Sequence, residues 1–579
     1  MDTLVMTVDP KTDQTEDSVR ERLGAVEGPL NSVDPVSFGR TLLGAGISLL
    51  RNPIGVISAD TRWAIGAAAA ARVAVERLTG HMSDGPMAPA AGDKRFDDAA
   101  YKENPLYFLL AQQYLLGRQL IVELLDAANL EKAKDAKARF GANFLLDALA
   151  PTNTLLGNPA AVREAYNTAG MSLLRGAKNM LDDIKDNRGW PSQVDADGFE
   201  LGVNMAVTPG QVVYRSDLIE LIQYQPQTEE VYETPLLFCP AWINKFYISD
   251  LAPGKSLIEW AVQHGHTCFA ISYRNPDASL RDLTFEDYWL QGPADAVRVI
   301  REITGAPQVN TISVCLGGTL TAIGMAKNAA DGDDSIKSST FLNTHTDFSI
   351  PGTLGVFTDE STIAGLERQM SKNGYLDGEK MAHTFDALRA PDLVFNYVSN
   401  NWLQGKKPPA FDLLVWNKDS TRMPAKMHSR YLRSCFLNNE FSRGEFEFNG
   451  KKLEPSKVTA PIYVLSAIED HIVPWKSAFK TTHVLGGPAR FVLSNAGHIA
   501  GIVNPPNPKC RYWVVDGELP DDPDVWREQA QLHEGTWWED WTKWIAGQGG
   551  AMQSTSESLG SSEYPQIEAA PGSYVRTRA

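Results

Sequence analysis

"TISVCLGGTL" (residues 311–320) decides how this chain is read. The residues leading into it, "APQVNTISV", carry a turn signal and then a short apolar run, the pattern of a buried strand. The residues that follow, "TLTAIGMAKNAA", read as a helix. Cys315 therefore stands where a strand turns sharply into a helix, with Ser313 before it and the pair Gly317 and Gly318 after it. In hydrolases that place belongs to the serine of a G-x-S-x-G nucleophile elbow. A cysteine in an apolar strand is usually a small buried hydrophobe, and that is the reading for Cys239, Cys268, Cys435 and Cys510. Around Cys315 the glycines argue otherwise, because they keep the backbone open for a strained turn and a close helix approach.

An elbow of this kind requires an acid and a histidine from loops after later strands, in the order nucleophile, acid, base. Asp470 ends the strand-like "PIYVLSAIED", and His498 ends "FVLSNAGH". Both follow Cys315 in the required order, at the ends of strands, where open α/β sheets keep their sites. Two histidines compete with His498. His471 adjoins Asp470, and His345 lies in "FLNTHTDF" after the strand that follows the elbow. The small residues Ala496 and Gly497 before His498 favour it as the base.

The rest of the chain fits an α/β-hydrolase fold with an inserted cap and a helical region ahead of it. Residues 1–35 are acidic and polar and read as a flexible N-terminus. Residues 36–225 read as a mainly helical domain, with helices over 104–130 and 158–186, each opened by Asn-Pro. Within it, "GVNMAVTPGQVVYRSDLIELIQY" alternates like a strand hairpin. From 226 to 546 apolar strand-like runs alternate with helices, implying a mostly parallel sheet covered on both faces. A stretch rich in Trp, Tyr, Asn and Met, about 325–455, is too long for a loop and reads as a cap subdomain. Residues 547–579 have the composition of a flexible tail.

Bulk properties exclude several classes. The chain has 579 residues and a formal net charge of −17, so no broad basic face is available for nucleic acid. Five scattered cysteines without C-x-x-C spacing fit reduced thiols in a cytoplasmic protein, not a disulfide framework or a metal site. The acidic opening lacks the features of a signal segment. "WAIGAAAAARVAVERL" (63–78), interrupted by Arg72 and Glu76, is too short to be read as a transmembrane segment.

A thiol at the elbow suits one chemistry in particular. Thiolates are strongly nucleophilic, and an adjacent imidazole promotes their formation. Attack on an acyl thioester exchanges one thioester for another, so the acyl group keeps its activation for transfer to an alcohol.

The residues also carry a specific resemblance. "CPAWINKFYISDL", "ISYRNPDASLRDLTFEDYW", "SVCLGGTL", "FDLLVWNKDSTRMPAKMHSRYLRSCFLNNEF", "SAIEDHIVPW", "AGHIAGIVNPP" and the terminal "PGSYV" resemble the polyhydroxyalkanoate synthases, of the single-subunit kind. The first small residue of the lipase-like box is Ser313 here, where the family usually has glycine. The resemblance implies polymerisation of (R)-3-hydroxyacyl-CoA into polyester with release of CoA. It implies Cys315 as nucleophile, Asp470 as acid, His498 as base, and Trp416 as the tryptophan of the cap motif, placed in the substrate pocket. The oxyanion is expected on the backbone N–H of Leu316 and on that of Trp242 or Ile243. No metal and no cofactor is expected, coenzyme A being part of the substrate and a product. Expected partners are the polyester granule surface, its associated proteins and a second copy of the chain, with a cytoplasmic, granule-bound location. Two other readings stay open: a CoA thioesterase or polyester depolymerase of the same fold, and a non-catalytic granule-coat protein.

Overall fold

The computed structural model describes residues 35–556 and 558–578. The chain divides into two compact units, one of residues up to 195 together with 383–410, the other of residues 196–382 with 411–579.

The first unit is helical. It contains α1 (Pro35–Leu49), α2 (Pro53–Leu78), α3 (Pro105–Ala128), α4 (Lys132–Ala148) and α5 (Met171–Asp186). Asn104 shows why α3 begins where it does. Its side chain accepts from the N–H groups of Leu106 and Tyr107, and Pro105 fills the first helical position, where no donor is needed. The expected helix over 158–186 is broken at Gly170, which takes φ +83 and separates Pro159–Asn167 from α5. Residues 383–410 belong to this unit, although the sequence reading placed them in the cap. His383 stacks on Trp190 at 4.3 Å, and Trp402 Nε1 donates to Asp183 at 2.7 Å. The helical region ends at Asp195, not at 225. Residues 210–224 form a strand hairpin that joins the sheet of the second unit. The expected flexible N-terminus, 1–35, lies outside the described residues but for its last position. No single helix among the described residues is long and apolar enough to cross a membrane; α1 and α2, bent by 100°, reach that composition only when taken together.

The second unit is built on one mixed sheet. Its strands are β1 (Gly210–Arg215), β2 (Ile219–Tyr224), β3 (Leu236–Cys239), β4 (Cys268–Tyr273), β5 (Val309–Val314), β6 (Ile336–Leu342), β7 (Ile462–Ala467), β8 (Ala489–Ser494), β9 (Arg511–Val514), β10 (Gln531–Glu534) and β11 (Glu568–Ala569). They lie in the order β10-β9-β8-β7-β6-β5-β3-β4-β2-β1-β11. The run from β8 to β4 is parallel, and the strands outside it pair antiparallel. Alternate residues feed two cores. Leu237, Phe269 and Ile271 join one buried cluster, while Leu236, Phe238, Cys268 and Ala270 join the other. Period-two alternation of wholly apolar strands is what a sheet covered on both faces requires. Each of the Leu, Ile and Phe side chains contributes about 1.5–3 kcal/mol on full burial.

Two boundaries differ from the sequence reading. The cap cannot start at 325, because the elbow helix continues to Asp331 and β6 then inserts between β5 and β7. The insertion therefore runs from the end of β6 to the start of β7. The expected flexible tail is structured. Met552–Ser554 pairs with Glu230–Tyr232, and β11 pairs with β1. Leu559 and Val575 are buried. Main-chain hydrogen bonds do not depend on side-chain polarity, so a tail of polar composition can still cover the open edge of β1.

Candidate active site

Cys315 links β5 to α6 (Leu316–Asp331) and takes φ +50, ψ −116. A non-glycine residue in that conformation costs about 1–3 kcal/mol and persists only where its surroundings hold it. Its main-chain hydrogen bonds do so here. Cys315 N donates to Leu342 O (2.9 Å), and its carbonyl accepts from Gly318 N (3.0 Å) and Thr344 Oγ1 (3.2 Å). Gly317 permits the helix to approach β3, since a Cβ there would lie 2.5 Å from the carbonyl oxygens of both Cys239 and Pro240. At Gly318 a Cβ would collide with the Thr344 side chain. The elbow expected from the sequence is thus present, and the cysteine itself carries the strain.

Asp470 follows β7 and His498 follows β8. Asp470 Oδ1 accepts from the N–H groups of Ile472 (2.9 Å) and Val473 (2.8 Å), and its Oδ2 lies 2.6 Å from His498 Nδ1. That pairing makes Nδ1 the protonated nitrogen and leaves Nε2 unclaimed by Asp470, and Cys315 acts electrostatically on the same ring. Asn343 donates its side-chain N–H to the His498 carbonyl. Burial disfavours the imidazolium, yet the Asp470 carboxylate and Cys315 outweigh that penalty and hold His498 well above its ordinary value. Cys315 is half-buried while the other four cysteines are buried. Burial pushes the Cys239 thiol up to about 12, so it is not poised to react.

The carboxylate of Asp470 is engaged by His498, and the competing histidine His345 bonds to other partners. His345 packs behind the Asp470 loop, with Nδ1 2.9 Å from Ser477 Oγ and Nε2 3.2 Å from Ile472 O. Burial pushes it down to about 4. The His471 carbonyl accepts from Thr353 N and Thr353 Oγ1, at 3.1 and 3.0 Å.

Leu316 is the first residue of α6, so its N–H has no partner within the helix. Trp242 and Ile243 lie on the loop after β3. The Trp242 carbonyl accepts from Thr421 Oγ1 (2.8 Å), and its ring packs edge-on against Phe285, Tyr288 and Tyr431. Trp416 is buried, and its Nε1 donates to Lys245 O at 2.8 Å. That bond braces the loop carrying Trp242 and Ile243. Two neighbours went unnoticed in the sequence. Tyr431 lies within electrostatic reach of Cys315, and Lys245 forms a buried ion pair with Asp419 at 2.6 Å. Both occur in quoted stretches, but nothing local marks them out.

Fold and site together define an α/β-hydrolase whose elbow carries cysteine in place of serine. Residues 234–505 match the "alpha/beta hydrolase fold" model, and residues 92–261 match the model described as "Poly-beta-hydroxybutyrate polymerase (PhaC) N-terminus". A "Poly(3-hydroxyalkanoate) polymerase" of Methylorubrum extorquens is 41% identical over 544 residues, 93% of this chain and 90% of that one. A "Poly(3-hydroxyalkanoate) polymerase subunit PhaC" of Cupriavidus necator is 40% identical over 494 residues, 84% of this chain and 83% of that one. The chain belongs to the poly(3-hydroxyalkanoate) polymerase family.

Proposed function

We propose that this chain polymerises (R)-3-hydroxyacyl-CoA thioesters into polyhydroxyalkanoate and releases CoA, carrying the acyl group on Cys315. The observation that carries this reading is a thiol on a strained elbow, within electrostatic reach of a histidine whose Nδ1 is held by a buried carboxylate.

In the first half-reaction His498 Nε2 takes the Cys315 proton, and Sγ attacks the thioester carbonyl. The oxyanion rests on the N–H of Leu316 and on that of Trp242 or Ile243. Collapse expels the CoA thiolate, which takes the proton from the imidazolium and leaves as free CoA. In the second, the hydroxyl of a growing chain or of another monomer gives its proton to His498 and attacks the acyl-cysteine. An ester forms and the Cys315 thiolate departs. Asp470 keeps Nδ1 protonated throughout and stabilises the imidazolium in each half-reaction. A polyester product is insoluble, so this reading includes a granule surface as the working environment.

Following CoA release and polymer together, with 3-hydroxybutyryl-CoA as substrate, tests it. A polymerase yields both. A thioesterase yields CoA and free hydroxy acid, and a coat protein yields neither; either result would refute the proposal.

A further inference from the structure

The last residues of the chain form a strap that ends at the loop carrying Trp242 and Ile243. After β11, Gly572 takes φ +81, and a Cβ there would collide with Glu220. Glu220 is a fully buried carboxylate on β2. It accepts from Ser573 N (3.1 Å), Ser573 Oγ (2.8 Å) and Tyr574 N (3.0 Å), and pairs with Arg215 at 2.6 Å. Tyr574 OH donates to Ser216 O at 2.7 Å. Beyond it, the Val575 carbonyl accepts from Lys245 Nζ (2.6 Å), and the Thr577 carbonyl from Asn275 Nδ2 (3.3 Å).

Lys245 is the point of contact with the loop. Its side chain is 4% exposed, and Nζ also pairs with Asp419, whose other oxygen accepts from Tyr247 OH at 3.0 Å. Trp416 Nε1 holds the Lys245 carbonyl, Thr421 Oγ1 holds the Trp242 carbonyl, and Asn244 bridges Ser420. The loop is therefore gripped from one side by residues 416–421 and from the other by the strap. A buried ion pair is weak evidence for stability, since an apolar residue of similar volume often serves as well. What the ammonium adds is a tether, because one group donates both to Asp419 and to the Val575 carbonyl, which an apolar residue cannot do.

We infer that the strap of residues 571–577, acting through Lys245, sets the position of the Trp242 and Ile243 N–H groups against the oxyanion, so that Lys245 is a positioning residue for thioester attack. The inference rests on the polymerase reading of the same site.

Lys245→Met keeps the length of the stem and removes the donor. Two rates are measured on the full-length variant: CoA release from 3-hydroxybutyryl-CoA, and alkylation of Cys315 by iodoacetamide, followed by mass spectrometry of its peptide. Alkylation displaces iodide from a saturated carbon and develops no oxyanion, whereas thioester attack does. The expected result is a fall in kcat of about 10–100-fold, somewhat less than the loss of a whole oxyanion donor. KM and the alkylation rate should stay within about twofold, and Lys245→Arg should recover part of the loss. A chain ending at Ser573, which keeps the Lys245–Asp419 pair but lacks the Val575 carbonyl, should show the same split. If alkylation falls together with turnover, the strap supports the triad or the fold as a whole, and the inference is overturned. Unchanged turnover in both variants overturns it equally. A wild-type chain that is alkylated at Cys315 but releases no CoA refutes the polymerase reading, and this inference with it.

Discussion

His498 Nδ1 lies 2.6 Å from Asp470 Oδ2, and the other oxygen of that carboxylate is occupied by the N–H groups of Ile472 and Val473. Asp470 is thus held in one orientation, and among the described residues His498 is its side-chain hydrogen-bond partner. It can act on Cys315 only through the histidine, and that restricts what each substitution should do.

Cys315→Ala is expected to abolish CoA release and polymer formation while leaving the far-ultraviolet circular dichroism unchanged. Cys315→Ser keeps the elbow geometry but offers a poorer nucleophile and a less activated ester. It should turn over at least about 100-fold more slowly. Full activity in a folded Cys315→Ala protein would remove the thiol from the mechanism.

Replacing the base has a graded signature. His498→Ala should lose about 10²–10⁴-fold in kcat/KM. His471→Ala should lose much less, because the site already has its imidazole on Asp470. Steady-state CoA release by both variants decides the order, and a reversed ranking would reassign the base.

Asp470→Asn should separate the half-reactions. The imidazole of His498 remains within electrostatic reach of Cys315 in this variant, so acylation and a first equivalent of CoA are expected. An alcohol is far harder to deprotonate than a thiol and needs the carboxylate behind the imidazole. The variant should therefore accumulate acyl-Cys315, detected as a mass increase after one addition of substrate. An unmodified Cys315 with no CoA released would mean that the triad acts as one unit from the start.

The same variant carries a pH signature in stability. His498 is held above its unfolded value, so the Asp470–His498 pair contributes fully below about pH 6.5. Its contribution is lost as the pH rises through the folded value. The difference in Tm between wild type and Asp470→Asn should be largest near pH 6 and narrow on the alkaline side, as read by thermal melts in a pH series. A gap that widens with pH would contradict the assignment.

Gly317→Ala tests the close approach of α6 to β3. The added methyl meets two carbonyl oxygens that belong to backbone and cannot rotate away. A destabilisation of about 1–3 kcal/mol is expected, seen as a lower Tm, with loss of activity. Melting at the wild-type temperature would show that the elbow relaxes freely.

The core of the site was legible because its signals are local. Cys315, Asp470 and His498 each follow closely on an apolar strand bounded by turn residues, and their order along the chain matches one fold. What stayed hidden depends on partners far away in sequence. Nothing near Lys245 announces Val575 or Asp419, and nothing near His383 announces Trp190. Nor does anything near Trp416 announce that its indole N–H reaches the Lys245 carbonyl. The tail was misread for a related reason: composition reports on side chains, and β11 is held by main chain.

That last pairing bears on how the protein is made. β1 leaves the ribosome early, and the strand that covers its outer edge follows more than three hundred residues later. At about 5–20 residues per second the edge stays uncovered for tens of seconds. An uncovered edge is a template for pairing with another chain. Crowded polysomes making this protein are therefore most exposed to misassembly at β1, and slower initiation, which spaces the nascent chains, should raise the soluble yield more than slower elongation.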